Sequence, residues 1–238
     1  MEIHNENDSS IKEYLSDIFL YEQFLSFATL EAVACSKIYL YDGDLYQELE
    51  NEKKNIPPSG IDIYIQLSNE NDATHTEKYN FLFDYNTIKH QYSQIIQKWS
   101  AEKEDIAPIR THLVESIKHK NIFSSVDFLI VVQALEGFCT RFRKEDSLSN
   151  MLQDIIEEFS CIDKIKNDDI ATNEVVNSRH YYSHFMERSK KKHILDGREL
   201  YNLTHKLRKL LICCMLHFTG FNYPQINEIL NKSNSRLL

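Results

Sequence analysis

Glycine and proline are scarce in this chain, with only 5 Gly and 4 Pro among 238 residues. Both interrupt helices, so long stretches without them favour helix over strand. Cysteine is scarce as well, and the five cysteines form no CxxC spacing. This pattern indicates neither a disulfide framework nor a cysteine zinc site, and a reducing compartment fits it best.

Long apolar runs are also missing. No window approaches the roughly 18 apolar residues that a membrane-spanning helix needs. The N-terminus, MEIHNENDSS, is polar and acidic rather than a charged start followed by an apolar stretch. We therefore expect a cytoplasmic protein that is neither secreted nor bound to a membrane.

Positive charge is in deficit overall but concentrated at one end. The net charge of −9 argues against a general nucleic-acid coat, because nonspecific binding to phosphate backbones needs a basic surface. From residue 176 to the end, however, 11 Lys and Arg stand against 4 Asp and Glu, a local charge of +7, which leaves −16 for the rest. The basic third is thus the candidate for contact with an anionic partner.

The hydrophobic pattern changes along the chain and predicts two regions. Residues 11–34 carry apolar positions three and four apart, which predicts one helix or two short ones. The segments IDIYIQL at 61–67 and YNFLFDY at 79–85 alternate as strands do. We expect a small α+β N-terminal region over residues 1–100 and a helical bundle over residues 101–238, so the fold class is mainly α.

The later helices are read from apolar stripes and end signals. Helical patterns follow Asn86 and, as a short helix, Pro108. A third begins at Ser124, which with Asp127 has the form of a capping box, and two more are predicted over residues 147–162 and 198–218. Gly220 is placed to end the last one. Helices of this length joined by short loops pack antiparallel.

The segment VVNSRHYYSHF, residues 175–185, crowds titratable side chains into one stretch. In a helix, Arg179 and His184 lie about 140° apart around the axis and about 7.5 Å apart along it, so they share no face. His180 and His184 do share one, at a spacing seen for two zinc ligands. Zinc would need a third ligand, which only His193 or His205 could supply, and no HExxH arrangement is present.

The residues alone leave three interpretations of this segment open. It can be a basic helix surface with Tyr181 and Tyr182 packed inward, a metal site, or a catalytic site that cuts RNA. Neither the spacing nor the composition chooses between them.

A family resemblance adds a reason to prefer catalysis. Arg179-His180-Tyr181-Tyr182-Ser183-His184 resembles the signature of HEPN-domain ribonucleases, an Arg with a polar neighbour followed closely by a His. The stretches FLIVVQALEGFCTRF and LYNLTHKLRKLLICCMLHFTGF place the motif in a context that resembles ApeA-like antiphage HEPN proteins across residues 86–222. FLSFATLEAV also resembles the end of that family's N-terminal domain.

The resemblance implies a helical bundle, a homodimer and RNA cleavage that leaves a 2′,3′-cyclic phosphate. Such a reaction needs no metal and no cofactor, because RNA carries its own 2′-hydroxyl nucleophile and the enzyme supplies only an acid, a base and cationic support. On this basis we assign His184 as acid or base, Arg179 as phosphate stabiliser and His180 as an orienting or RNA-contacting residue.

Further residues are predicted to assist. Tyr182 and Ser183 are candidates for substrate contact, with core packing or helix surface as equal alternatives. Glu136 could pair with Arg179 and hold its rotamer, or could lie on an exposed face. The basic run of Arg188, Lys190, Lys191, Lys192 and His193 could guide RNA or coat a solvated loop.

Our leading hypothesis is therefore a homodimeric, metal-independent HEPN endoribonuclease that causes abortive infection as an antiphage defence, with tRNA as the favoured substrate. A catalytically silent helical interaction module is the main alternative, and a histidine-ligated zinc hydrolase is the third. The family usually has a much longer N-terminal region, so the chain is either a compact relative or a fragment. Whether its N-terminal region binds a phage-derived activator or only braces the bundle stays open.

Overall fold

The computed structural model describes most of the chain and divides it into two compact units. One unit combines Met1–Ala32 with His75–Leu238, and the other is Val33–Thr74. The described residues are 10–35, 37–40, 61–63, 81–101, 103–118, 124–166, 168–185, 187–190 and 193–233.

The smaller unit contains two short strands. Strand β1 (Ile38–Leu40) pairs antiparallel with β2 (Ile61–Ile63), and Tyr39 lies opposite Asp62. The strand predicted over residues 61–67 is present over its first three residues, and residues 64–67 lie outside the described part.

Helices make up the larger unit, and the prediction of a mainly α fold is confirmed. In chain order they are α1 (Ile11–Thr29), α2 (Tyr85–Ile88), α3 (Tyr92–Ala101), α4 (Lys103–Lys118), α5 (Ser125–Phe142), α6 (Leu148–Glu158), α7 (Asp163–Lys166), α8 (Thr172–His184), a short 3-10 helix (Arg188–Lys190), α9 (Gly197–Thr219) and α10 (Tyr223–Lys232). Within the described residues, no helix combines the length and apolarity needed to cross a membrane.

Helix α5 lies at the centre of the bundle and packs against α4, α6, α8 and α9. Four residues of the stripe predicted from the sequence, Phe128, Val131, Leu135 and Phe138, are each at most 1% exposed. The fifth, Phe142, is partly buried and packs against the core. Such burial removes the large apolar side chains from water and supplies most of the driving force for folding.

An aromatic cluster joins α1 to α3 and α4. Trp99 stacks on Phe27 with ring centroids 5.4 Å apart, and its indole donates to the Leu20 carbonyl at 3.1 Å. Arg110 donates to the Trp99 carbonyl at 2.7 Å, and burial lowers the pKa of this guanidinium to about 10. Helix α1 thus belongs to the same compact unit as the later helices, while the boundary predicted near residue 100 stays a prediction.

The strand predicted over residues 79–85 is wrong where the structure describes it. Residues 81–84 are irregular, and Tyr85 begins α2. Leu82 and Phe83 are buried, and the Leu82 amide donates to the Ala28 carbonyl at 2.8 Å. The aromatic run therefore belongs to a connecting segment that packs into the core. The burial of Leu82 and Phe83 explains its apolar pattern, and no strand is needed.

The helix predicted after Pro108 begins earlier. Helix α4 starts at Lys103 and carries Pro108 inside it. Proline has no N–H to donate to the carbonyl four residues back, at Glu104, so the helix loses one backbone hydrogen bond at this position.

Helix ends agree with most of the predicted signals. Ser124 caps α5 by accepting from the Val126 amide at 3.1 Å, and Ser147 caps α6 by accepting from the Asn150 amide at 3.3 Å. Gly220 ends α9 in the left-handed conformation with φ 114°. Helix α10, which the sequence analysis did not predict, follows it directly.

A buried ion pair connects α9 to α5. Arg208 is fully buried, and its guanidinium binds the carboxylate of Asp127, which is 3% exposed. Its Nε also donates to the Ser116 hydroxyl at 2.8 Å on α4. The Asp127 side chain, which the sequence suggested as part of a capping box, thus holds three helices together through Arg208.

Candidate active site on helix α8

Helix α8 is fixed to the bundle along one face. Val175 and Ser178 are buried, and Tyr182 packs against the core. The Ser178 hydroxyl accepts from the Leu195 amide at 3.0 Å, and the Tyr182 hydroxyl donates to the Leu195 carbonyl at 3.0 Å. These two bonds clamp the segment that enters α9.

Tyr182 was a candidate for substrate contact, and the structure places it in this clamp. Its ring meets Phe128 edge to face with centroids 6.3 Å apart. Burial, followed by the negative charge of Asp196, raises the pKa of its hydroxyl. The packing alternative therefore fits Tyr182 better, whereas Ser183 on the other side of the helix is exposed.

Two further contacts tie α8 to its neighbours. At its start, the Thr172 and Ser149 hydroxyls are 3.0 Å apart and join α8 to α6. In its middle, Arg179 Nη2 lies 3.2 Å from Glu136 Oε2 on α5. The predicted pairing of Glu136 with Arg179 is thus present, and its role stays a prediction.

The Arg179 and Glu136 side chains are 30% and 33% exposed. Arg179 Nη2 binds Glu136, and the side chain keeps an exposed fraction that a phosphate oxygen could reach. A guanidinium suits that ligand because its charge is permanent and its planar fork matches two oxygens.

His184 is the last residue of α8 and is exposed. Its ring meets that of His180, one turn earlier, with centroids 5.7 Å apart and planes at 73°. Among the described residues, the bonding and ring contacts of Arg179 and His184 go to Glu136 and His180 rather than to each other. The two proposed catalytic side chains therefore occupy different faces, as the helical spacing predicts.

The basic segment after α8 is described only in part. Arg188 is exposed and pairs with Asp196, which raises the pKa of its guanidinium. Lys190 ends the short 3-10 helix. Lys191 and Lys192 lie outside the described residues, so their predicted contact with RNA stays a prediction.

The histidines considered as metal ligands do not form a recognisable cluster. In the described ranges, no group of three or more His, Cys, Asp or Glu side chains is placed to hold a metal ion. His205 instead packs its ring on Tyr201 with centroids 4.4 Å apart. Burial, with the nearby charges of Arg208 and Lys209, lowers the pKa of its imidazole to about 4.

A cleft of about 180 Å³ lies beside the end of α8. Its described lining residues are Ser124, Ser125, Asp127, Tyr182, Gly197, Leu200, Tyr201 and Thr204. This set includes neither Arg179 nor His184. Arg179 and His184 therefore lie outside this cleft, whereas Tyr182 lines it.

Phe185, the last residue of the segment VVNSRHYYSHF, was not predicted to have a role. Phe185 ends α8 in the left-handed conformation, with φ 50° and ψ 40°, and is 91% exposed. The available signal was a bulky aromatic at a position where glycine or asparagine usually ends a helix.

Comparison with known families finds two matches along the chain. A model of Apea-like HEPN matches residues 129–225, which contain Glu136 and all of α8 and α9. A model of ApeA N-terminal domain 1 matches residues 1–99, well beyond the short stretch that suggested this domain. No curated protein and no solved structure matches the chain.

Proposed function

Because the chain belongs to the ApeA-like HEPN family, we propose that it is a metal-independent endoribonuclease that acts as a homodimer. Membership implies a nuclease-type role in antiphage defence. Within that role, we propose abortive infection through cleavage of structured RNA, with tRNA as the favoured substrate and a phage-derived signal as the trigger.

The observation that carries this proposal is the tethered, outward-facing motif on α8. Arg179 is held by Glu136 yet remains partly exposed, and His184 lies exposed at the helix end. A guanidinium supports the negative charge of a phosphorane, and an imidazole can take or give a proton near neutral pH. Together they supply what 2′-hydroxyl attack on an RNA phosphate requires.

The open position of these two side chains supports a shared site. One chain presents Arg179 and His184 about 140° apart around α8, where Arg179 is partly exposed and His184 is exposed. If α8 faces its copy across a two-fold axis, the Arg and His of both chains can converge on one phosphate. Dimerisation is then part of the mechanism.

In this mechanism His184 removes the proton from the 2′-hydroxyl as its oxygen attacks phosphorus. The 5′-oxygen leaves and takes a proton from the His184 of the second chain. Arg179 neutralises the equatorial oxygens, and His180 orients its neighbour His184. The products carry a 2′,3′-cyclic phosphate and a 5′-hydroxyl.

The test is cleavage of labelled RNA by purified protein in excess EDTA. We expect Arg179→Ala and His184→Ala each to lower kcat by about 100-fold or more, the scale reported for loss of one transition-state donor. His90→Ala is the matched control, because His90 is exposed and lies outside α8. Circular dichroism should show that all variants keep the helical fold.

Mixing the wild type with an excess of the His184→Ala variant tests the shared site. Exchange of subunits produces dimers with a single His184, which lack either the acid or the base, so cleavage by the wild type is expected to fall as the variant is added. Full activity of either single variant would refute the role assignment. A stable dimer that cuts no RNA would favour the silent interaction module instead.

Toxicity in cells gives an independent readout that needs no knowledge of the substrate. Expression of the wild type together with its trigger should arrest growth, and His184→Ala should relieve the arrest. Equal toxicity of both proteins would contradict a ribonuclease mechanism.

A further inference from the structure

Phe185 is the most exposed large apolar side chain in the part of the chain that the structure describes. It is 91% exposed, compared with 65% for Tyr85 and 60% for Val126. It also follows His184 directly and ends the helix that carries the motif.

The backbone at Phe185 is unfavourable for this residue type. Its φ of 50° lies in the left-handed region, which a residue with a bulky side chain rarely adopts. Glycine would end the helix at this position without strain. The burial of an aromatic side chain usually offsets such strain. The rest of the chain, however, covers almost none of the Phe185 side chain. The combination indicates a ligand that covers the ring.

The surroundings of Phe185 favour a nucleobase over a protein partner. Ser183, His184, Glu187, Arg188 and Ser189 are all exposed neighbours in sequence. The buried core of a protein interface is apolar and depleted in charge, whereas these neighbours are polar or charged, as the edge of the proposed shared site must be for RNA to enter it. A nucleobase needs only one flat aromatic face, with cations nearby for the adjoining phosphates.

We propose that Phe185 stacks on an unpaired base of the bound RNA beside the scissile phosphate and so positions the strand against His184. This inference rests on the proposed ribonuclease function and narrows its substrate. Bases inside an A-form duplex are not accessible to such stacking, so the site takes a nucleotide from a loop or another single-stranded region. Every base has a flat face, so stacking selects for the unpaired state and not for one sequence.

Binding should be measured in the His184→Ala background, so that the RNA is not cut. The probes are a labelled single-stranded oligoribonucleotide of mixed sequence, an abasic RNA of the same length and a blunt duplex. Adding Phe185→Ala should weaken binding of the single strand by about ten-fold, within the range known for loss of one base-stacking aromatic. Binding of the abasic RNA should not change. Tyr85→Ala, which removes another exposed aromatic, should alter neither.

Two more substitutions separate stacking from a structural role. Phe185→Trp should keep the affinity, and its added indole fluorescence should be quenched by the single strand but not by the abasic RNA. The native Trp99 is only 1% exposed and should not respond. Phe185→Gly should melt at the same or a higher temperature, because strain is removed, and should still bind the single strand more weakly.

The inference is overturned if the single strand binds the Phe185→Ala protein as tightly as it binds the His184→Ala parent. Dissociation of the dimer by Phe185→Ala, measured by light scattering, would also overturn it, because Phe185 would then serve a protein interface. Neither result touches the ribonuclease proposal, which stands or falls on cleavage by the wild type and its loss in His184→Ala.

Discussion

Replacement of Glu136 by glutamine separates a positioning role from a stabilising one. The ion pair of Glu136 with Arg179 spans 3.2 Å, and both side chains are about one third exposed. Pairs with this exposure contribute roughly 0.2–1 kcal/mol to stability. For a protein of this size, about 1 kcal/mol shifts the melting temperature by about 2–4 °C. Glu136→Gln should therefore leave the fold nearly as stable as before.

Activity should fall much further. Without the carboxylate, the Arg179 guanidinium keeps its charge but regains rotamer freedom, which is worth about 1.5–2 kcal/mol for a long side chain. Each 1.36 kcal/mol is ten-fold in rate, so kcat should drop by about ten- to thirty-fold. Glu136→Ala should lose more than Glu136→Gln, because glutamine still offers an accepting oxygen to Arg179. Single-turnover cleavage of RNA measures both losses directly.

A second ion pair provides the matched control. Arg143 and Glu158 lie 2.9 Å apart with side chains 35% and 22% exposed, and neither residue belongs to α8. Glu158→Gln should cost at least as much stability as Glu136→Gln and should not change kcat. Unchanged cleavage by Glu136→Gln, or an equal loss in Glu158→Gln, would refute the positioning role.

Three further predictions concern stability. Arg208→Met should cost about 3–5 kcal/mol in urea unfolding by leaving Asp127 buried without its cation, and adding Asp127→Leu should recover most of that. The pKa of His205 is about 4 in the folded protein and about 6.5 in the unfolded chain. The free energy of unfolding should therefore be highest above pH 6.5 and fall by at most about 3 kcal/mol as the pH is lowered toward 4. His205→Leu should flatten this fall, and His90→Gln should not. Tyr182→Phe should cost about 1 kcal/mol without lowering kcat; a large loss of cleavage would restore Tyr182 as a substrate contact.

Local signals explain why much of the helical architecture could be predicted. The stripe on α5, the caps at Ser124 and Ser147 and the end of α9 at Gly220 depend on residues within one or two turns of each other. Periodicity and capping express that same local geometry. The candidate site was found through the resemblance of its motif to a family signature, whose residues lie together on one helix.

Apart from the pairing of Glu136 with Arg179, the features that depend on distant contacts were not predicted from the sequence. Arg208 and Asp127 are 81 positions apart, and their burial became visible only when α9 packed on α5. The apolar run at Leu82 was interpreted as a strand because alternation and simple burial give similar patterns over a few residues. The clamp of Tyr182 on Leu195 likewise required the segment after α8 to fold back.

The contacts of α8 show why one short helix can carry both anchoring and chemistry. Its inner face is fixed by Ser178 and Tyr182, and Thr172 and Arg179 attach its edge to α6 and α5. Its outer face presents His184, from a backbone that the inner contacts hold in place. Preorganised groups need no rearrangement when charge develops in the transition state, so this anchoring fits the catalytic role proposed for His184. Inner-face substitutions should therefore lower stability first, whereas His184 substitutions should lower kcat at unchanged stability, and a helix without a catalytic role would show no such separation.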